Sequence, residues 1–217
     1  MADTAAAAEG HDDRGDAIVE TAEQLLEEVG LEGLTIRAVL ARTGLARRAF
    51  YDRFHGKDDL VLAVFERTLR EAAAQFKAQG AGLASPLARL RLIVCGIVIG
   101  DAVRDRPQVG EAGQTGTGRR AAALSREHLR LAETRPQELQ RAIEPLVRLI
   151  ECELASGMAA GEVRAGDARQ LAVLVYNLVS TTVHAELLGR GDAPASGAHR
   201  ERLAAEVWEF TRRAIAG

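Results

Sequence analysis

Thr35-Ile36-Arg37-Ala38-Val39-Leu40-Ala41-Arg42-Thr43-Gly44-Leu45-Ala46-Arg47-Arg48-Ala49-Phe50-Tyr51-Asp52-Arg53-Phe54 is the stretch whose reading decides the fold. Thr35 has the side chain of a helix N-cap, because its oxygen can accept from a backbone N–H of the first turn. Ile36, Val39 and Leu40 then face inward, and Gly44 ends the helix after barely two turns. Glycine suits that place because it takes a positive φ without strain. A second short helix follows from Ala46 to Phe54, burying Phe50 and Phe54 at i, i+4. Two short helices at a glycine turn are a helix-turn-helix, whose second helix enters a DNA major groove. Arg47, Arg48, Tyr51 and Arg53 fall on the side away from the core. Arginine is the side chain best shaped for bidentate contact with guanine or phosphate.

Working outward, Ile18, Ala22, Leu25, Leu26 and Val29 form one apolar stripe on a preceding helix that Gly30 closes. Lys57 opens a long helix carrying Leu60, Val61, Val64, Phe65, Leu69, Ala72 and Phe76. Beyond it, Gly- and Pro-containing breaks divide the chain into further helices near 86–104, 107–112, 119–133, 136–160, 167–189 and 197–215. No stretch alternates with period two for long, so the fold class expected is all-α. The organisation expected is a disordered, Ala-rich tail over 1–12 and a helix-turn-helix domain over 13–60. A larger helical domain for ligand binding and dimerisation follows over 61–217.

The 217 residues are 47% hydrophobic and 27% charged, the range of an ordinary globular protein. Net charge is −3, which alone does not point to nucleic acid. Its distribution does. Arg37, Arg42, Arg47, Arg48, Arg53 and Lys57 face a single acid, Asp52, while the preceding helix carries Asp13, Asp16, Glu20, Glu23, Glu27 and Glu28. No apolar stretch reaches the roughly 18 residues of a membrane span, and Met1-Ala2-Asp3-Thr4 does not start a signal peptide, so no membrane partner and a cytoplasmic location are expected.

Residues 18–65 resemble the DNA-binding domain of the tetracycline-repressor (TetR) family, through Ile18, Thr35-Ile36-Arg37-Ala38-Val39, Thr43-Gly44-Leu45, Phe50-Tyr51-Asp52-Arg53-Phe54 and Gly56-Lys57-Asp58-Asp59-Leu60. The resemblance implies a homodimer that binds operator DNA, usually a repressor released by a small ligand; no Ser or Cys nucleophile sits in a recognisable constellation with a base, so an enzyme is not expected. It assigns base and phosphate contacts to Arg47, Arg48 and Tyr51, and phosphate contacts to Thr35, Arg37 and Lys57. Two positions depart from the family's habit: Ala46 replaces a capping Ser, and Ala49 a phosphate-binding Thr. The first departure removes a cap worth ~1 kcal/mol. Arg48 either compensates or pairs with Asp52 at i, i+4.

Other signals are weaker. Gly113 to Arg120 has the glycine spacing of a phosphate loop but lacks the Lys-Ser/Thr that must follow. The five histidines show no paired ligand spacing, so neither metal nor cofactor is expected. Cys95 and Cys152 read as buried free thiols. Polar residues inside apolar helices suit either a satisfied core and dimer interface or a ligand cavity. Cys95, Asp101, Tyr176, Asn177 and His184 are the candidates to line it, around an effector expected to be mainly apolar. Gly96 and Gly100 leave space either for close helix packing or for that ligand. Helices near 167–189 and 197–215 are expected to form the dimer contact, with Trp208 as an anchor. The alternatives are a DNA-binding regulator with no small effector, and a ligand-binding helical bundle whose helix-turn-helix is vestigial.

Overall fold

A computed structural model describes residues 2–100, 124–189 and 196–216, with side chains from residue 14 onward. In chain order the helices are α1 (Ala2–Gly33), α2 (Ile36–Thr43), α3 (Arg47–Tyr51), α4 (Lys57–Gly80) and α5 (Pro86–Ile99). Residues 124–134 form α6, followed by α7 (Pro136–Ala159), α8 (Ala168–Gly189) and α9 (Gly197–Ile215). No strand is present among the described residues; a single bridge joins Val163 to Ala216.

Local chemistry explains most boundaries. The Thr35 hydroxyl accepts from the Ala38 N–H at 3.1 Å, capping α2. Gly44 ends α2 in the left-handed region at φ 69°, donating its N–H to the Leu40 carbonyl. Ser85 and Ser196 cap α5 and α9 in the same way as Thr35. Gly30, at φ 71°, breaks the path of α1 where the apolar stripe ends. The same helix takes in residues 2–12, read from composition as a disordered tail. Its run of alanines has the highest helix propensity available, which needs no apolar stripe. The expected short helix at 107–112 and the start of the one at 119–133 lie outside the described residues.

Two apolar clusters hold the fold. The first joins Ile18, Leu26, Val39, Phe50 and Phe54 of the N-terminal helices to Leu60, Val64 and Phe65 of α4, and to Leu131 and Leu139 of α6 and α7. The second packs α5, α7, α8 and α9 around Ala72 and Phe76 of α4. Two helices, α4 and α7, therefore contribute to both cores, each with its N-terminal part in the first and its C-terminal part in the second. Gly96 serves close packing: a Cβ there would lie 2.3 Å from Cε1 of Phe76. Gly100 is a left-handed helix end at φ 83°.

Two expectations about surface residues change. Cys152 is exposed rather than buried, because it lies on the solvent side of amphipathic α7. Trp208 is 7% exposed and belongs to the second core, so it anchors the subunit itself. The exposed apolar residues on these helices are Val173, Leu174 and Leu188 of α8 and Phe210 of α9. Apolar on both sides, α8 has the length and mean hydropathy of a helix able to cross a membrane. A second, unsatisfied face on a core helix gives that value as readily as a lipid contact does.

Candidate DNA-binding surface

The geometry of α2 and α3 follows from one buried ring and one turn. Phe50 is fully buried, 5.4 Å from the Phe54 ring and 5.3 Å, edge-on, from the Tyr51 ring. The Thr43 hydroxyl donates to the Val39 carbonyl at 2.9 Å and accepts from the Leu45 N–H at 3.4 Å, tightening the turn. With Phe50 fixed inward, Arg47, Arg48 and Tyr51 stand outward on α3, and Arg37 stands exposed in the first turn of α2. Among the described residues these four side chains have no hydrogen-bond or ion-pair partner, and Arg48 does not pair with Asp52. Ala46 precedes α3 with no side-chain cap, so the first N–H groups of that helix face outward unsatisfied by a side chain.

The remaining basic residues are engaged. Arg42 makes a bidentate pair with Glu28 of α1 at 2.6 and 2.7 Å. That pair raises the Arg42 pKa and holds the Glu28 carboxyl below its ordinary range. Arg53 is exposed but lies over Gly15 of α1, where a Cβ would come 3.2 Å from its Nε. Lys57, expected to meet phosphate, instead donates from Nζ to the Leu31 carbonyl at 2.6 Å. That oxygen lies just past the break at Gly30, where no helical N–H reaches it, so the ammonium supplies the missing donor.

Charges not singled out in the sequence converge on the first turn of α4. Asp58 meets Arg130 of α6 at 3.1 Å, and Arg130 also grips the buried Glu127. Asp59 meets Arg135 at 2.7 Å and His55 at 2.9 Å, and Arg135 also pairs with Glu138. Burial pushes the Asp59 pKa up, but the His55 N–H and the Arg135 and His55 side chains outweigh it and leave the pKa lowered. The end of the α6–α7 corner is thus tied to the helix that follows the recognition unit.

The candidate effector residues separate into three groups. Tyr176 is buried and His184 half-buried, and His128 of α6 joins them. The His128 and His184 ring centres are 4.5 Å apart, His128 and Tyr176 6.4 Å, and His128 and Phe65 of α4 5.7 Å. Cys95 is half-buried on the other side, its thiol donating to the Ala204 carbonyl of α9 at 3.8 Å, and burial raises its pKa. Asn177 is exposed, and Asp101 lies outside the described residues. An open cleft of about 400 Å³ lies elsewhere, on the N-terminal unit between Arg14, Thr21, Gln24, Thr43 and Leu45. His128 escaped the sequence reading because one histidine on a helix carries no spacing; its partner is 56 positions away on α8.

Residues 18–64 match the sequence model of the family described as bacterial regulatory proteins, tetR family. No curated protein matches the chain. Among solved structures, a tetR-family transcriptional regulator from Pectobacterium atrosepticum aligns with TM-score 0.71 and 17% identity, over 95% of this chain and 96% of that one. FadR from Bacillus subtilis, a transcriptional regulator in complex with stearoyl-CoA, aligns with TM-score 0.65 and 16% identity, over 92% and 98%. A tetR-family regulator from Syntrophomonas wolfei aligns with TM-score 0.62 and 14% identity, over 94% and 95%.

A helix-turn-helix in front of a larger helical body is the fold this chain shares with these solved regulators. Residues 18–64 are thus similar to the N-terminal region of the tetR family of bacterial regulatory proteins.

Proposed function

We propose that the protein is a cytoplasmic, homodimeric repressor that holds a palindromic operator and is released from it by a small, mainly apolar ligand. The observation that carries the DNA-binding half is the outward, unpaired set of Arg37, Arg47, Arg48 and Tyr51 beside the buried Phe50. Free guanidinium groups on a recognition helix have nothing to give up before meeting guanine or phosphate. Thr35 and Lys57 stand at the flanks, and Lys57 must leave the Leu31 carbonyl to reach a phosphate. The exposed Leu174, Leu188 and Phe210 support dimerisation through α8 and α9, since an interface there would cover them. The apolar second core and the likeness to a regulator in complex with stearoyl-CoA support a ligand with a large apolar part.

The test begins with selection of bound duplexes from a random pool, then titration at several salt concentrations. The reading expects an enriched inverted repeat and a log affinity that falls linearly with log salt. Retention of random and selected duplex alike, without salt dependence, would remove the DNA-binding reading. The ligand half is tested by linkage. A true effector must lose affinity in the presence of operator by the same factor that it weakens operator binding, typically about 5–150-fold. Identical ligand affinity with and without operator would leave the DNA-binding half standing alone.

A further inference from the structure

A polar cluster lies where the two apolar cores meet. His128 of α6 touches Phe65, a member of the first core, and Tyr176, a member of the second. His184 of α8 lies against it, ring centres 4.5 Å apart. Among the described residues neither imidazole has a hydrogen-bond or ion-pair partner. From α4 the facing group is the Phe65 ring, and from α8 it is the other histidine and the Tyr176 phenol. On α6 itself, Glu127 is turned to Arg130. Among the described residues, two imidazoles and a phenol therefore meet without any acid between them.

Resting on the ligand-responsive reading above, we propose that His128, His184 and Tyr176 form the seat for the carboxylate of an otherwise apolar, monocarboxylic effector. Complementarity is the reason. A neutral imidazole offers one N–H and a phenol one O–H, so the set is rich in donors and lacks a charged acceptor. Burial first, and then the neighbouring His184, hold the His128 pKa down to about 4; burial lowers that of His184 too. An anion placed against their edges offsets both causes, by supplying the opposite charge. A carboxylate is the class that fits half-buried surroundings, because a phosphate dianion costs far more to desolvate. A hydroxyl or ketone would accept one bond and leave the titration unchanged. Occupying the seat takes up a proton from solvent, leaving an imidazolium–carboxylate pair, and presses on Phe65 of the helix that leads to the recognition unit.

The experiment compares straight-chain carboxylates of six to sixteen carbons with the alcohols of equal length, on the full chain. Calorimetry in two buffers of different ionisation enthalpy counts the protons taken up. We expect one length of acid to bind at least about tenfold tighter than its alcohol, with net proton uptake and tighter binding at pH 6 than at pH 8. In His128→Gln and His184→Gln the acid should fall to within about twofold of the alcohol, which should bind as in the wild type. Alcohol binding in the variants also reports that they are folded. Acids that bind no better than alcohols, or a preference that survives both substitutions, would overturn the proposal. Operator binding is measured separately, so its failure would be recognised as failure of the DNA-binding reading instead.

Discussion

Arg47 and Lys57 show how one basic residue differs from another at the same surface. Arg47 projects from α3 with nothing to hold it, whereas the Lys57 ammonium closes the chain at Leu31. Arg47→Ala should therefore leave stability within about 0.5 kcal/mol and cost roughly 1–3 kcal/mol on the cognate duplex. Loss of base preference at one position should accompany that cost. An unchanged ratio of cognate to random affinity would show that Arg47 does not read a base. Lys57→Ala should behave differently, lowering stability by about 1–2 kcal/mol because a charged donor leaves the Leu31 carbonyl unpaired. Denaturant midpoints measure that loss. If the ammonium also moves to phosphate on binding, the salt slope falls by about 1. A stability loss with an unchanged slope would make Lys57 a structural lysine only.

Helices show best which parts of the fold were legible beforehand. The bounds of α2, the cap at Thr35 and the end at Gly44 were readable because capping and left-handed turns are decided within four residues of chain. The ties on the first turn of α4 were not, since Asp58 and Asp59 find Arg130 and Arg135 at separations of 72 and 76 residues. The same limit hid His128, turned Trp208 inward and exposed Cys152: a helix pattern gives a buried face but not the neighbour it meets. Gly96 illustrates the difference, for sequence left its space open to a ligand and the fold fills it with Phe76. Gly96→Ala should cost roughly 1–3 kcal/mol, by forcing α4 and α5 apart, and Phe76→Leu should recover part of it. Additive losses in thermal melts of the pair would show that the two positions do not share that space. The α6–α8 seam adds a pH dependence. With the His128 pKa down to about 4, the unfolded chain binds more protons between there and about 6.5, so stability falls as pH drops through that window. His128→Gln should flatten the midpoint-versus-pH curve from pH 7 to 5; a curve as steep as the wild type would place the titration elsewhere.

At the scale of the molecule, the recognition surface and the exposed apolar residues lie on different parts of the chain, and dimerisation would join their energetics. A single α3 offers few contacts: three outward side chains on a helix of five residues. On the proposed dimer, specific binding depends on two copies held with recognition helices about 34–36 Å apart, one turn of the duplex. The residues available to hold them are Leu174 on α8, 58% exposed, and Phe210 on α9, 65% exposed. Neither belongs to the buried core, so a charge there should not unfold the subunit. Leu174→Glu with Phe210→Glu should yield a folded monomer by sedimentation, with a melting point no longer rising with protein concentration. On an inverted repeat this monomer should bind like the wild type on a half-site, because joining two sites through one scaffold raises affinity by about 10²–10⁴ without new contacts. Its salt slope should roughly halve for the same reason, since each operator-bound particle then neutralises half as many phosphates. A double variant that stays dimeric and keeps full operator affinity would move the interface away from α8 and α9, while leaving the proposed DNA contacts of Arg47, Arg48 and Tyr51 unaffected.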